Sequence, residues 1–316
     1  MKKLILGALT AAAVGLAGLP AKAETFVTVL TGGSTGVYYP LGVALSKVYA
    51  DHVPEVRTSV QSTKASVENL NLLQRGRGEV GFALGDSVSG AWNAEEDAGF
   101  PQKLDKLRAI AAIYPNYIQI VARADSGITS LADLKGKRIS VGAPKSGTEL
   151  NARKIFAAAG MSYKDFAKTE YLSFGESVEL MKNRQLDATL LSAGLGVSAI
   201  RDLASTTAIT IVEVPKETVA AINDPVFIPT TVPAGSYDGV TKDVPTVAIR
   251  NILVTRSDLP DDLVYQMTRS MFDHRADLLS AHSAAQGITL QEATSGLPLP
   301  LHPGAEKFYR EAGILK

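Results

Sequence analysis

The chain of 316 residues carries 32 basic and 32 acidic residues, no cysteine, and 46% apolar residues. That balance gives no electrostatic reason to expect a nucleic-acid partner, and the lack of cysteine excludes a disulfide framework and thiolate chemistry. The length suffices for two domains, each with its own core.

The first 23 residues stand apart. Lys2 and Lys3 precede an apolar, Ala/Gly-rich run over residues 4–19, and Ala21-Lys22-Ala23 has the form of a cleavage site. This predicts a secretory signal removed after Ala23, and hence an exported, periplasmic protein beginning at Glu24. Without Lys2, Lys3 and Lys22 the balance is 29 basic to 32 acidic residues. No later run is apolar enough to span a bilayer.

Residues 27–45, VTVLTGGSTGVYYPLGVAL, read as a strand, a Gly/Ser/Thr turn and an amphipathic helix with Leu41, Ala44, Leu45 and Val48 on one face. A strand that turns through glycines into a helix N-terminus leaves backbone N–H groups free at the positive end of the helix dipole, which suits an anion. Ser34, Thr35, Tyr38 and Tyr39 add hydroxyls there. A strand follows at 56–60, then Ser66 as expected N-cap of a helix carrying Val67, Leu70 and Leu73. Gly76 and Gly78 close that helix before a buried strand, Val80–Leu84. Residues 85–100 read as a polar loop holding the sole tryptophan, Trp92, and two strands follow at 107–112 and 117–122.

A second passage repeats this grammar. Residues 138–141 read as a strand, GAPKSGT at 142–148 as a Gly-rich turn, and 149–159 as a helix with Gly160 as its stop. A strand at 170–172, a Ser173–Glu176 capping box, a helix through Val178 and Met181, and a strand at 188–191 complete it. The repeat is architectural, about 110 residues long, and pairs Ser34 with Ser146. It predicts two α/β lobes, each with an anion-friendly loop at the C-terminal edge of its sheet, where open α/β sheets bind ligands. In the last third, 225–239 reads as loop, 246–256 as a strong strand, 263–272 and 276–282 as helices, and 296–303 as an extended tail. The chain is expected to cross between lobes twice, near 123 and near 225–250, and two crossings make a hinge.

Two motifs invite catalytic readings. GGSTG at 32–36 satisfies G-x-S-x-G in a strand–turn–helix setting, so an exported serine hydrolase using Ser34 with His274, His282 or His302 is the alternative from another class. Its position beside the start of the mature chain, ahead of the strands that should precede such an elbow, counts against it. GAPKSGT resembles a P-loop but carries Thr148 where the motif requires lysine. A backbone nest for a carboxylate suits the same residues. No metal-ligand spacing occurs, and no cofactor is expected. Asp86, just after the third strand, is placed either to meet a ligand or to cap the next segment.

TGGSTGVYYPLGVAL, SVENLNLLQRGRGEVGFAL, LRAIAAIYP, SGITSLADLKGKRISVGAPKSGTELNARKIF and DVPTVAIRNILVTRSDLPDDLVY together resemble TAXI-family solute-binding proteins, the extracytoplasmic receptors of one class of TRAP transporter. The resemblance spans the mature chain. It implies a type II periplasmic-binding-protein fold: an α/β protein of two lobes, 24–123 with 226–316 and 124–225, closing about a two-crossing hinge. It also implies a monomeric, non-enzymatic receptor for a C4–C5 dicarboxylate or amino acid such as glutamate or 2-oxoglutarate. The partner would be an ion-gradient-driven membrane permease with fused subunits, a membrane sensor being the other candidate. The ligand residues so implied are Ser34, Thr35 and Tyr38; Thr63, Ser66 and Asn69; Pro144, Lys145, Ser146, Gly147 and Thr148; and Ser192, with Asp86 added as a candidate from its place after the third strand. The chain departs from the family pattern at Leu84-Gly85-Asp86, at Lys145, and at residues 192–196, which bears on ligand identity more than on ligand class.

Overall fold

The computed structural model describes residues 24–316, so the expected signal segment lies outside the described residues. In chain order the first repeat is β1 (Thr25–Leu30), α1 (Tyr38–His52), β2 (Val56–Gln61), α2 (Ser66–Gln74), β3 (Val80–Leu84) and α3 (Gly85–Asn93), followed by β4 (Leu107–Arg123). The second is β5 (Arg138–Ser140), α4 (Gly147–Ala158), β6 (Lys168–Glu170), α5 (Phe174–Lys182), β7 (Ala188–Ala193) and α6 (Ser198–Thr206). Then come β8 (Ile209–Val212), α7 (Lys216–Ile222), β9 (Ile228–Val232), β10 (Val244–Arg256), α8 (Asp261–Asp273), α9 (Arg275–Ala281) and α10 (Pro303–Glu311).

The strands lie in the order β2-β1-β3-β10-β4-β7-β5-β6. β2, β1 and β3 are parallel, and so are β7, β5 and β6, so the repeat expected from the sequence forms two matching parallel units. Between them run β10 and β4, antiparallel to each other and to the strands they meet. Every residue of β3 and of β7 is buried, as parallel strands covered on both faces require. On α1, Leu41, Leu45, Val48 and Tyr49 turn inward and share a core with Val27 and Val29 of β1. A separate core inside the second unit gathers Ile139, Ile155, Phe156 and Leu190.

Four stretches differ from the sequence reading. The loop expected over 85–100 begins as α3, because β3 runs straight into a helix that buries Val88 and Ala91. The strands expected at 107–112 and 117–122 are one strand, β4, which serves both units: its first half pairs with β10, its second with β7 and β8. The expected loop over 225–239 contains β9, paired to β10. Ser66 begins α2 as its first helical residue, and the N-cap is Ala65, at φ 71°. The Ser66 hydroxyl instead accepts from the backbone N–H of Leu84 at 3.1 Å.

Candidate functional site

A cleft of about 700 Å³, open to solvent, lies between the two parallel units at the C-terminal ends of their strands. The first unit lines it with Gly32, Gly33, Gly36, Val37 and Tyr38, with residues 63–66, and with Leu84. The second contributes Ala143, Ser146, Gly147, Thr148, Ser173, Phe174, Ser192 and Ala193, and Asn116 enters from β4.

Four helices begin at this cleft: α1, α2, α4 and α5. Tyr38, Ser66, Gly147 and Phe174, the first helical residue of each, all line it. Their N-termini differ in how they are finished. The Ser146 hydroxyl accepts from Glu149 N at 3.1 Å, and Ser173 forms a capping box with Glu176. α1 and α2 have no side-chain cap. Each helix N-terminus carries partial positive charge, and here four of them converge. None of the lining residues is acidic, and one, Lys64, is basic. Acidic side chains in the first turns of α2, α4 and α5 offset part of that charge: Glu68 accepts from the Lys64 backbone N–H, Glu149 pairs with Arg153, and Glu176 accepts from Ser173.

The floor is polar and buried. The Tyr38 hydroxyl donates to Asn251 Oδ1 at 2.5 Å, and its ring stacks on Phe82 with centroids 5.1 Å apart. Burial pushes the Tyr38 phenol well above its usual pKa, so it remains a neutral donor. Asn116 Nδ2 donates to the Ser192 carbonyl at 2.9 Å. The Ser192 hydroxyl is buried at the cleft wall with no protein partner. A buried, unpaired hydroxyl at a cavity wall is costly unless something in the cavity pairs with it.

The structure brings Tyr38, Thr63, Ser66, Ser146, Gly147, Thr148 and Ser192 of the sequence-expected set together around the cleft. Asn69 stands behind it, fully buried, donating to the carbonyls of Thr31 (2.7 Å) and Phe82 (2.9 Å) and accepting from the Thr63 hydroxyl at 2.6 Å. Its role is to hold the two first-unit loops together. Ser34 is exposed in the turn ahead of α1, whose N-cap is Val37, so the expected pairing with Ser146 fails at the helix terminus. Thr35 meets the second unit through its carbonyl, which accepts from Ser198 Oγ at 2.9 Å and Ala199 N at 3.3 Å. Pro144 and Lys145 lie exposed in the turn before α4, and Lys145 stands at φ 62°. The cation at the cleft is Lys64. Asp86 is buried where α3 meets α4, outside the lining, and accepts from Asn151 Nδ2 at 2.8 Å.

Asn116 and Phe174 were not anticipated. Asn116 left one signal, a polar residue inside the apolar run of β4; Phe174 left another, an apolar residue placed directly after a capping serine. The histidines available to Ser34 are occupied elsewhere. His282 and His302 each accept a backbone N–H through Nδ1, and His274 stacks on His52.

Residues 29–313 match the model of the NMT1-like family. The chain belongs to that family. Among solved structures it is similar to PhnD1 from Prochlorococcus marinus (MIT 9301) in complex with methylphosphonate, at 12% identity and a TM-score of 0.60, over 92% of this chain and 99% of that one. It is also similar to a putative L-cystine ABC transporter from Listeria monocytogenes, at 15% identity, TM-score 0.51, and 84% and 98% coverage. XAC2383 from Xanthomonas citri bound to chloride ion matches at 13% identity, TM-score 0.50, and 92% and 97% coverage. At these identities the likeness concerns the fold, which is the two-lobed type II periplasmic-binding-protein fold.

Proposed function

We propose that this protein is an exported solute-binding protein that captures a small organic acid between its two lobes. One observation carries the reading: four helix N-termini meet at a cleft lined by no acidic side chain. Backbone N–H groups and dipoles at those termini hold an anion, and the Ser/Thr hydroxyls orient it. Hydrogen bonds to a charged group contribute about 1.5–3 kcal/mol each, so a few of them suffice for micromolar affinity. The solved relatives named for methylphosphonate and chloride are compatible with an anionic ligand.

The lining also discriminates between acids. An amino acid presents an ammonium group that needs an acceptor carboxylate, and the lining offers only neutral groups and Lys64. A C4–C5 dicarboxylate or 2-oxo acid such as 2-oxoglutarate therefore fits better than glutamate. The resemblance to TAXI receptors supports an ion-gradient-driven TRAP permease as partner and action as a monomer. Among the described residues no helix is long and apolar enough to cross a membrane, so on this reading a separate protein performs translocation.

A thermal-shift series tests the assignment, because a ligand that binds only the native state raises the Tm by mass action. The panel is 2-oxoglutarate, succinate, glutamate, methylphosphonate and a neutral sugar. Stabilisation by 2-oxoglutarate or succinate that exceeds that by glutamate and weakens with salt is expected. A shift with the sugar alone, or with none of the acids, would overturn the assignment.

A further inference from the structure

We propose that Asn251, which does not line the cleft, is a positioning residue that sets the cleft floor and the lobe angle together. This rests on the solute-binding reading for its consequence and on geometry for its substance. Asn251 lies on β10, one of the two strands that pass between the lobes, and is fully buried. Its side chain makes three hydrogen bonds. Oδ1 accepts from the Tyr38 hydroxyl at 2.5 Å, and Nδ2 donates to Asn116 Oδ1 at 2.8 Å and to the Tyr114 carbonyl at 2.9 Å. Its backbone pairs with Leu84 across β3. Tyr38, Asn116 and Leu84 all line the cleft, so one residue behind the wall fixes three residues in it.

The same residue sits at one of the two register shifts in the central ladder. Arg250 pairs with Pro115 and Ile252 with Ala112, so Asn251 faces Ile113 and Tyr114 where β4 bulges. A bulge interrupts the regular ladder and bends the strand locally, and the Asn251 amide takes the Tyr114 carbonyl there. The chain of contacts continues from Asn116 Nδ2 to the Ser192 carbonyl. It thus runs from α1 of one lobe, through both crossing strands, to β7 of the other. A change of lobe angle must bend β4 and β10 together, and one of the two register shifts in their ladder, the other lying between Leu253 and Val254, falls at the residue that also orders the ligand wall. Apparent affinity equals intrinsic affinity multiplied by the fraction of molecules in the competent arrangement. Loosening Asn251 therefore weakens binding without removing a ligand contact.

The absence of cysteine allows a spin-label pair at Ala50→Cys and Lys164→Cys, exposed positions on opposite lobes, in an otherwise native chain. Asn251→Asp keeps the acceptor for Tyr38 and the size of the side chain but removes both amide donors. The expected result is a broader, longer distance distribution without any ligand, and at least tenfold weaker binding of 2-oxoglutarate by calorimetry. Tyr38→Phe removes a single link, preserves the ring packing, and should cost about threefold. If Asn251→Asp does not fold, Tyr38→Phe carries the test with the same two readouts. A wild-type distance distribution in the variant would overturn the proposal, whatever the Tm does. So would a shifted distribution with unchanged affinity. A wild-type protein that fails to bind 2-oxoglutarate would count against the ligand assignment alone, since the distance measurement needs no ligand.

Discussion

Asp86 offers a perturbation whose size follows from its surroundings. Its carboxylate is buried between α3 and α4, Oδ2 takes the Asn151 amide at 2.8 Å, and Oδ1 has no partner. Asn151 Oδ1, on the other side of the contact, is also unpartnered. Burial pushes the Asp86 pKa up from 3.8 to about 6; the attraction of Lys154 opposes this, and the nearby Asp224 reinforces it. Because the folded value lies above the unfolded one, the native state holds the proton more tightly. Stability is therefore lost as pH rises from about 4 to about 6, and the full penalty applies above that window. At 1.36 kcal/mol per pH unit the gap amounts to about 3 kcal/mol. Asp86→Asn removes the charge and supplies a donor for the orphaned Asn151 oxygen. Thermal unfolding should show the variant about 6 °C more stable at pH 8, at about 2 °C per kcal/mol for a chain of this size, and near parity at pH 4. Parallel Tm–pH curves for variant and wild type would refute the argument that burial governs this carboxyl.

Three further substitutions probe the cleft. A Cβ at Gly147 would lie 2.6 Å from Leu84 Cδ1 and 2.7 Å from Ser66 Oγ, so Gly147→Ala should hold the lobes apart; small-angle scattering should report a larger radius of gyration and calorimetry a weakened ligand. Ser192→Ala removes a buried hydroxyl with no protein partner, so ligand affinity should fall about tenfold or more while the ligand-free Tm stays level or rises. Unchanged affinity would remove Ser192 from the site. Ser146→Ala deletes the α4 cap and should cost about 1 kcal/mol of stability in denaturant titration, beyond any effect on binding.

The parts of the fold legible in the sequence were those set by local chemistry. Ser173 stands three residues before Glu176 at a helix start, and the two form the expected capping box. The repeat of strand, glycine turn and helix was legible because parallel units need those turns. What escaped was set by tertiary partners. Ser66 has the chemistry of a cap, yet Leu84 N–H, which arrives from β3, claims its hydroxyl. Lys145 and Lys64 are both loop lysines beside a helix start, and only the packing of the lobes decides that Lys64 borders the cleft.

The long strand β4 shows why the site itself was half hidden. In the run IAAIYPNYIQIVA, Pro115 and Asn116 read as a break between two strands, since proline cannot donate to a ladder and asparagine is a poor strand former. Both lie beside the bulge at which β4 faces Asn251: Pro115 pairs with Arg250 and Asn116 with Ile249, and the residues left out of register are Ile113 and Tyr114. The break in the pattern falls where β4 passes from one unit to the other, and there Asn116 reaches the cleft wall. A polar residue in a central strand is tolerated because its hydrogen bonds are complete: Asn116 accepts from Asn251 and donates to Ser192. The residues that look least suited to a strand therefore mark the crossing and the site at once, and a sequence reading that assigns every polar break to a loop must miss them.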